Sequence, residues 1–253
     1  MRPLCSFADL PHPVIATAIH AGHELRPEIA ARSALDDATR LREEDPYTDL
    51  LTAIGGATVV AHRSRFEVDL NRPREKAVYR VPEDAWGLDL WVDRLADHAV
   101  EHSLRLYDDF YGELGRHLDA PARGPFVVLD LHSYNHRRDG ADSAPADAAE
   151  NPEINVGTGS LDRDRWGAVV DAFIAALPKR DVRENVRFRG GELSHWVNAR
   201  YHDRGCALAI EFKKTFMDEW TGALDADHLE SLRDDLAATV PALLSALHHP
   251  ATA

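Results

Sequence analysis

Phe126-Val127-Val128-Leu129-Asp130-Leu131-His132-Ser133 is a short apolar run that turns polar at its end. Its brevity and its Gly and polar boundaries predict a buried strand over 126–131. Strand alternation places Asp130 and His132 on one side, so the carboxylate is positioned to orient the imidazole.

Working outward, three further runs read the same way, at 14–19, 58–61 and 207–212, and the four together form the predicted centre of a sheet. Helical periodicity separates them. The clearest stretch is 88–118, where Trp91, Leu95, Ala99, Leu106, Phe110 and Leu114 largely follow four-residue spacing. A second amphipathic segment over 166–177 stops at Pro178, and a third over 229–247 carries Pro241 as an expected kink. Strands alternating with helices indicate an α/β architecture. With no internal repeat or low-complexity tract, the expectation is a single domain spanning residues 1–253. Residues 137–152, rich in Asp, Ala, Pro and Gly, form an active-site loop placed to act as a lid.

Composition narrows the function. The 253 residues are 44% hydrophobic, enough for a sizeable core, and 43 acidic against 29 basic residues give a formal charge of -14. Such a surface repels phosphate backbones and anionic lipid, so nucleic acid and membranes are not expected partners. Clustered arginines such as Arg63, Arg65, Arg72 and Arg74 still allow a positive pocket for a small anionic molecule. Cys5 and Cys206 give no disulfide framework, and neither a signal peptide nor a membrane-spanning run is evident, which points to a cytoplasmic protein.

In open α/β sheets ligands bind beyond the carboxyl ends of strands, so the polar residues there carry most information. The first run delivers Ile19-His20-Ala21-Gly22-His23-Glu24, and neutral imidazole is a good zinc ligand. An isolated His at such a place more often caps a strand. A second His at 132 and a carboxylate, Glu211, within the apolar run at 207–212 change the balance. Glu211 is costly there unless it is functional or paired, for instance with Lys213, Lys214 or an Arg. Two imidazoles and a carboxylate at three strand ends supply two metal ligands and a general base for an activated water. A third ligand is still required, with candidates His23, Glu24 and the group Glu43-Glu44-Asp45. The segment Arg63-Ser64-Arg65-Phe66-Glu67-Val68-Asp69-Leu70-Asn71-Arg72 offers guanidinium groups for a substrate carboxylate, although such a run is commonly a solvated hairpin. A competing motif, His98-Ala99-Val100-Glu101-His102, matches H-x-x-E-H but lies in the amphipathic helix, where a boundary histidine is the simpler reading for His98, while His102 could approach the pocket. No serine-hydrolase elbow, phosphate loop or dinucleotide fingerprint occurs.

These elements, in this order, resemble the N-formylglutamate amidohydrolase family. The resemblance rests on His20-Ala21-Gly22, on Ser64-Arg65 followed by Asp69-Leu70-Asn71-Arg72, and on Asp130-Leu131-His132-Ser133. Support comes from His102 ahead of Leu104, Gly157-Thr158, Phe188-Arg189-Gly190-Gly191 and a closing strand that ends in Glu211. It implies a three-layer sandwich with a central mixed sheet, similar to zinc-dependent carboxypeptidases and aspartoacylases. It also implies hydrolysis of the amide of a small acidic amino-acid derivative such as N-formylglutamate. One Zn²⁺ would be held by His20, His132 and a third ligand, ranked Glu44 and His23 first, then Glu24 and Asp45. The usual His-x-x-Glu pairing is not met, since His23 stands where the Glu would be. Glu211 would act as base, with Arg65, Asp69, Asn71, Arg72 and Ser133 lining the substrate. Rival expectations are another acylated amino acid or peptide terminus as substrate, and a non-catalytic binding protein on the same fold.

Overall fold

A computed structural model describes residues 2–120 and 124–248. The strands are β1 (Cys5–Ala8), β2 (Val14–Ala18), β3 (Ala57–Ala61), β4 (Phe126–Tyr134), β5 (Ile154–Gly157), β6 (Val182–Glu184) and β7 (Gly205–Lys213). The α-helices are α1 (Pro27–Ala30), α2 (Asp37–Glu43), α3 (Asp97–Leu118), α4 (Arg163–Ala175), α5 (Glu192–Arg200) and α6 (Ala226–Leu247).

The sheet is mixed, with seven strands in the order β1-β3-β2-β4-β7-β5-β6. The four runs expected from sequence occupy its middle as parallel neighbours, β3-β2-β4-β7. Every residue of β2 and β4 is buried, as a strand covered on both faces requires. Alternation divides them between two cores. Val14, Val127, Leu129, Leu208 and Ile210 pack with Trp166, Phe173, Leu236 and Leu243 from α4 and α6. Ile15, Phe126, Val128 and Ala207 face Tyr107, Phe110, Leu114 and Val197 from α3 and α5. Helices thus cover both faces of one α/β sheet.

Two helical expectations hold with adjusted bounds. Asp162 caps α4 by accepting from the N–H groups of Asp164 and Arg165, and α6 begins at the Asp225 cap and continues through Pro241. The 88–118 stretch is corrected: α3 starts only at Asp97. Upstream, the Leu90 carbonyl accepts the Ala34 N–H and Trp91 bridges Ser33, so 88–96 pairs with a neighbouring loop. The buried stripe of α3 also runs through Ser103 and Tyr107, leaving Leu106 at its edge. Residues 137–152 contain no helix or strand. Their start is anchored, because the buried Glu219 carboxylate accepts the N–H groups of His136 and Arg137 at 2.8 and 2.9 Å. Cys5 and Cys206 are both free, and no described helix is long and apolar enough to cross a membrane.

Candidate active site

The carboxyl ends of the parallel strands open onto a cavity of about 420 Å³ lined by His20, Asp45, His132 and Glu211. His20 leaves the end of β2 and is buried together with His132 of β4. Their rings meet edge to face with centroids 4.7 Å apart. Between them lies Asp45, whose Oδ2 is 3.0 Å from His132 Nδ1 and 3.4 Å from His20 Nδ1. Among the described residues, His20, Asp45 and His132 form the one group of three whose ligand atoms converge within 4.8 Å.

The far side of each imidazole is held by a carboxylate. His20 Nε2 is 2.7 Å from Asp69 Oδ1, and His132 Nε2 is 3.1 Å from Asp130 Oδ2. Thr17 on β2 donates to Asp130 Oδ1 at 2.8 Å, which fixes the carboxylate from the neighbouring strand. Asp69 also accepts from Arg65 at 2.8 Å, from Tyr79 through its hydroxyl, and from the Asn71 N–H at 2.8 Å. Both rings therefore turn Nδ1 inward toward Asp45 and Nε2 outward to an orienting carboxylate, the arrangement that tunes metal-binding histidines.

Carboxylates and imidazoles set each other's charge at the centre of the site. Burial alone would raise the Asp45 and Asp69 pKa values. The His132 and His20 rings hold the Asp45 carboxyl well below the usual range, and Arg65 and His20 do the same for Asp69. His132 is held well above an ordinary histidine: burial opposes its charge, but Asp130, Asp45 and Glu211 overcome it. Asp130 Oδ2 is buried with no well-formed hydrogen bond, leaving the imidazole at ion-pair distance as its partner. Three buried carboxylates, Asp45, Asp69 and Asp130, stand at hydrogen-bond or ion-pair distance from the two imidazoles, with the Arg65 guanidinium on Asp69. A His-His-Asp set with oriented rings and an open cavity fits a catalytic zinc ion.

Glu211 is placed by register. β4 and β7 run parallel with His132 opposite Glu211, so the carboxyl stands one strand away from a ligand candidate. Burial, then Asp45 and Asp130, push its pKa up to about 7, against the pull of His132. A carboxyl that titrates near neutrality is matched to general-base work.

The structure distributes the remaining candidates unequally. Glu44 and His23 face each other instead of the cluster, with Oε2 and Nδ1 at 2.5 Å, and Glu44 also accepts from the Ser64 hydroxyl. Arg40 holds the His23 carbonyl and Nε2, each at 3.0 Å. Glu24 ion-pairs with Arg2 at 2.5 Å. Asp45, ranked behind these, is the carboxylate brought to both imidazoles. Of the expected substrate-lining residues, Arg65, Arg72 and Ser133 line the cavity, and Asp69 is not part of its lining. Asn71 also borders it, but its Oδ1 accepts the Leu193 N–H at 3.1 Å and its Nδ2 lies 3.2 Å from His132 Nε2. Ser133 donates to Asp45 Oδ1 at 3.2 Å, so Asp69, Asn71 and Ser133 serve the histidine cluster. His98 and His102 lie on the outer face of α3, 3.9 and 3.6 Å from Glu28, away from the cavity lining.

Several lining residues were not singled out from sequence: Arg42, Trp86, Arg138 and Arg187. Trp86 is half-exposed at the mouth, with the Arg65 guanidinium 4.9 Å from its ring centre. Asn155 on β5 carries Arg187 and Phe188 to the rim by accepting the Arg187 N–H at 2.9 Å and donating to the Phe188 carbonyl at 2.9 Å. The Phe188-Arg189 pair had entered only through the family resemblance. A polar Asn within the Ile-Asn-Val-Gly strand was the available signal for this rim.

The chain is similar to known proteins along most of its length. N-formylglutamate deformylase from Pseudomonas aeruginosa is 26% identical, with 97% of each chain covered. The enzyme of the same name from Pseudomonas putida is 27% identical over 87% of each. The crystal structure of N-formylglutamate amidohydrolase from Ralstonia eutropha superposes with a TM-score of 0.73 at 17% identity, covering 96% of this chain and 97% of that one. That likeness shows the fold. The profile of the N-formylglutamate amidohydrolase family matches residues 12–217, and the chain belongs to that family.

Proposed function

We propose that the protein is a zinc-dependent amidohydrolase that cleaves the C–N bond of a small N-acylated acidic amino acid, N-formylglutamate first among them. The observation that carries this reading is the convergence of His20 Nδ1, His132 Nδ1 and Asp45 Oδ2 beside Glu211. Both curated relatives bear the name N-formylglutamate deformylase, which agrees with it.

When bound by His20, Asp45 and His132, zinc would lower the pKa of a water and polarise the acyl carbonyl. The chain's own residues do the rest. Asp69 and Asp130 hold the imidazoles in the tautomer that leaves Nδ1 free to ligate. Glu211 takes a proton as the water oxygen bonds to the acyl carbon, and returns it to nitrogen as the C–N bond breaks. N-formylglutamate and water then give formate and glutamate. Arg72 and Arg189 at the wall supply charge for the substrate carboxylates. Arg65, fixed by Asp69 at 2.8 Å, faces the developing oxyanion.

The test is formate release from N-formylglutamate by the purified protein, with zinc content measured alongside. Stoichiometric zinc and turnover, both lost in His20→Ala and in His132→Ala, support the reading. Zinc retained in both variants overturns the metal site. Tight ligand binding without turnover in the zinc-loaded protein would make it a binding protein on the same fold.

A further inference from the structure

Lys214 is a buried lysine just beyond the end of β7; the proposed reaction gives it no task, and the sequence offered it only as a possible partner of Glu211. Its Nζ donates to the carbonyls of Arg42 and Glu44 at 2.6 and 2.7 Å. Those carbonyls belong to the end of α2, where Glu44 is the C-cap residue, and a helix C-terminus leaves such acceptors without intrahelical partners. The Lys214 N–H is itself tied to the Tyr134 carbonyl at 3.0 Å, at the end of β4. One residue thus connects the strand that carries His132, through its backbone, to the turn that carries Asp45, through its side chain.

The peptide unit between Glu44 and Asp45 is gripped at both ends. Its C=O receives the Lys214 ammonium, and its N–H donates to the His20 carbonyl at 3.0 Å. With that plane held, little freedom remains to the Asp45 backbone. Its own carbonyl accepts the Thr48 hydroxyl at 2.6 Å, and Pro46 follows. The extended backbone at Glu44, φ -83 and ψ 178, sends the Glu44 and Asp45 side chains to opposite sides. Glu44 goes to His23, and Asp45 to the two imidazoles.

We propose that Lys214 is a positioning residue that aims Asp45 at His20 and His132 by clamping the Glu44–Asp45 peptide. The proposal rests on the metal site put forward above. Burying an ammonium on two carbonyls is costly by comparison with an apolar cap, and the cost is repaid by a fixed ligand.

The experiment is a cobalt(II) titration of the full-length protein, followed by visible ligand-field absorption, for the wild type, Lys214→Met and Lys214→Gln, with thermal unfolding of each. The wild type is expected to bind one cobalt ion. Lys214→Met should bind it about 10- to 100-fold more weakly, with an altered spectrum, the loss typical when a ligand's support is removed. Lys214→Gln, which can still reach one carbonyl, should fall between, and it takes over the test if Lys214→Met does not fold. Wild-type cobalt affinity and spectrum in a folded variant overturns the proposal, even if its unfolding midpoint drops, because that is what a purely structural lysine would do. A rise in KM alone, with cobalt binding unchanged, also overturns it. A wild type that binds no cobalt overturns the metal site and the proposal together, and is told apart from the other outcomes by the wild-type titration.

Discussion

Exchanging Asp45 for Asn keeps the shape of the side chain and removes one charge from the space between two imidazoles. Asp45 Oδ2 stands 3.0 Å from His132 Nδ1 and 3.4 Å from His20 Nδ1, with no second carboxylate in that group of three. Removing a group that only orients a ligand costs about 10- to 100-fold in metal affinity. Removing a direct, charged ligand must exceed that range. We expect about 10³-fold weaker zinc binding in Asp45→Asn, or about 4 kcal/mol at 1.4 kcal/mol per decade. Glu44→Gln is the matched control. It alters the neighbouring buried carboxylate, which serves His23 and Ser64, and should keep wild-type zinc affinity while losing about 1–3 kcal/mol of stability from a disturbed buried hydrogen bond. Competition against a chromophoric chelator measures both affinities. If Glu44→Gln loses the metal and Asp45→Asn keeps it, the assignment of the third ligand from geometry is refuted.

Glu211→Gln should retain zinc and lose about 10²- to 10⁴-fold in kcat. In the wild type the pKa of about 7 means that the base is protonated at lower pH, so activity rises with pH. A bound cation favours the carboxylate and draws this acid limb below 7, and a kcat profile with no such limb would count against Glu211. Arg72→Ala should raise KM for N-formylglutamate by about 10- to 100-fold with zinc affinity unchanged, the worth of one charge-assisted hydrogen bond. Arg65→Ala should also weaken zinc binding, because Asp69 loses the partner that holds it against His20. Gly22→Ala would set a Cβ 2.4 Å from the His62 carbonyl carbon and 2.5 Å from Arg63 O, both backbone atoms that cannot swing away. Overpacking of about 3 kcal/mol should lower the unfolding midpoint by roughly 6–12 °C in a thermal scan, and an unchanged midpoint would contradict the packing described beside His20.

Much of the centre of the molecule was legible in the sequence because burial on both faces writes a strand as an uninterrupted apolar run. β2, β3, β4 and β7 announce themselves this way, and the polar residues at their ends mark His20, His132 and Glu211. The edges left no such trace. β1 and β6 are half-buried and short, and a three- or four-residue segment carries too few positions for a periodicity. The start of α3 was misplaced because Leu88, Leu90, Trp91 and Leu95 pack into small satellite cores while pairing with a loop, which imitates a helical stripe. Asp45 shows a different limit. The Glu43-Glu44-Asp45 group offered its carboxylates as ligand candidates, and the chain through it is extended at Glu44. Which of two adjacent carboxylates faces inward depends on the parity of that extended segment, set by Lys214 and His20 far away in sequence.

The pairing of β4 with β7 separates what can evolve freely from what cannot. His132 and Glu211 are direct neighbours on parallel strands, so their spacing is the interstrand repeat of about 4.8 Å, which loop motion does not change. Arg72, Arg187 and Arg189 sit outside the strands, on the loop connections around the cavity. On the proposed function, those connections can be rewritten for a new acylated substrate while the distance between His132 and Glu211 stays unchanged. The same division guides redesign: libraries confined to Arg72 and 187–191 search specificity, whereas a change inside β4 or β7, or at Arg65, Asp69 or Asn71 beside the histidines, disturbs the proposed chemistry for every substrate at once.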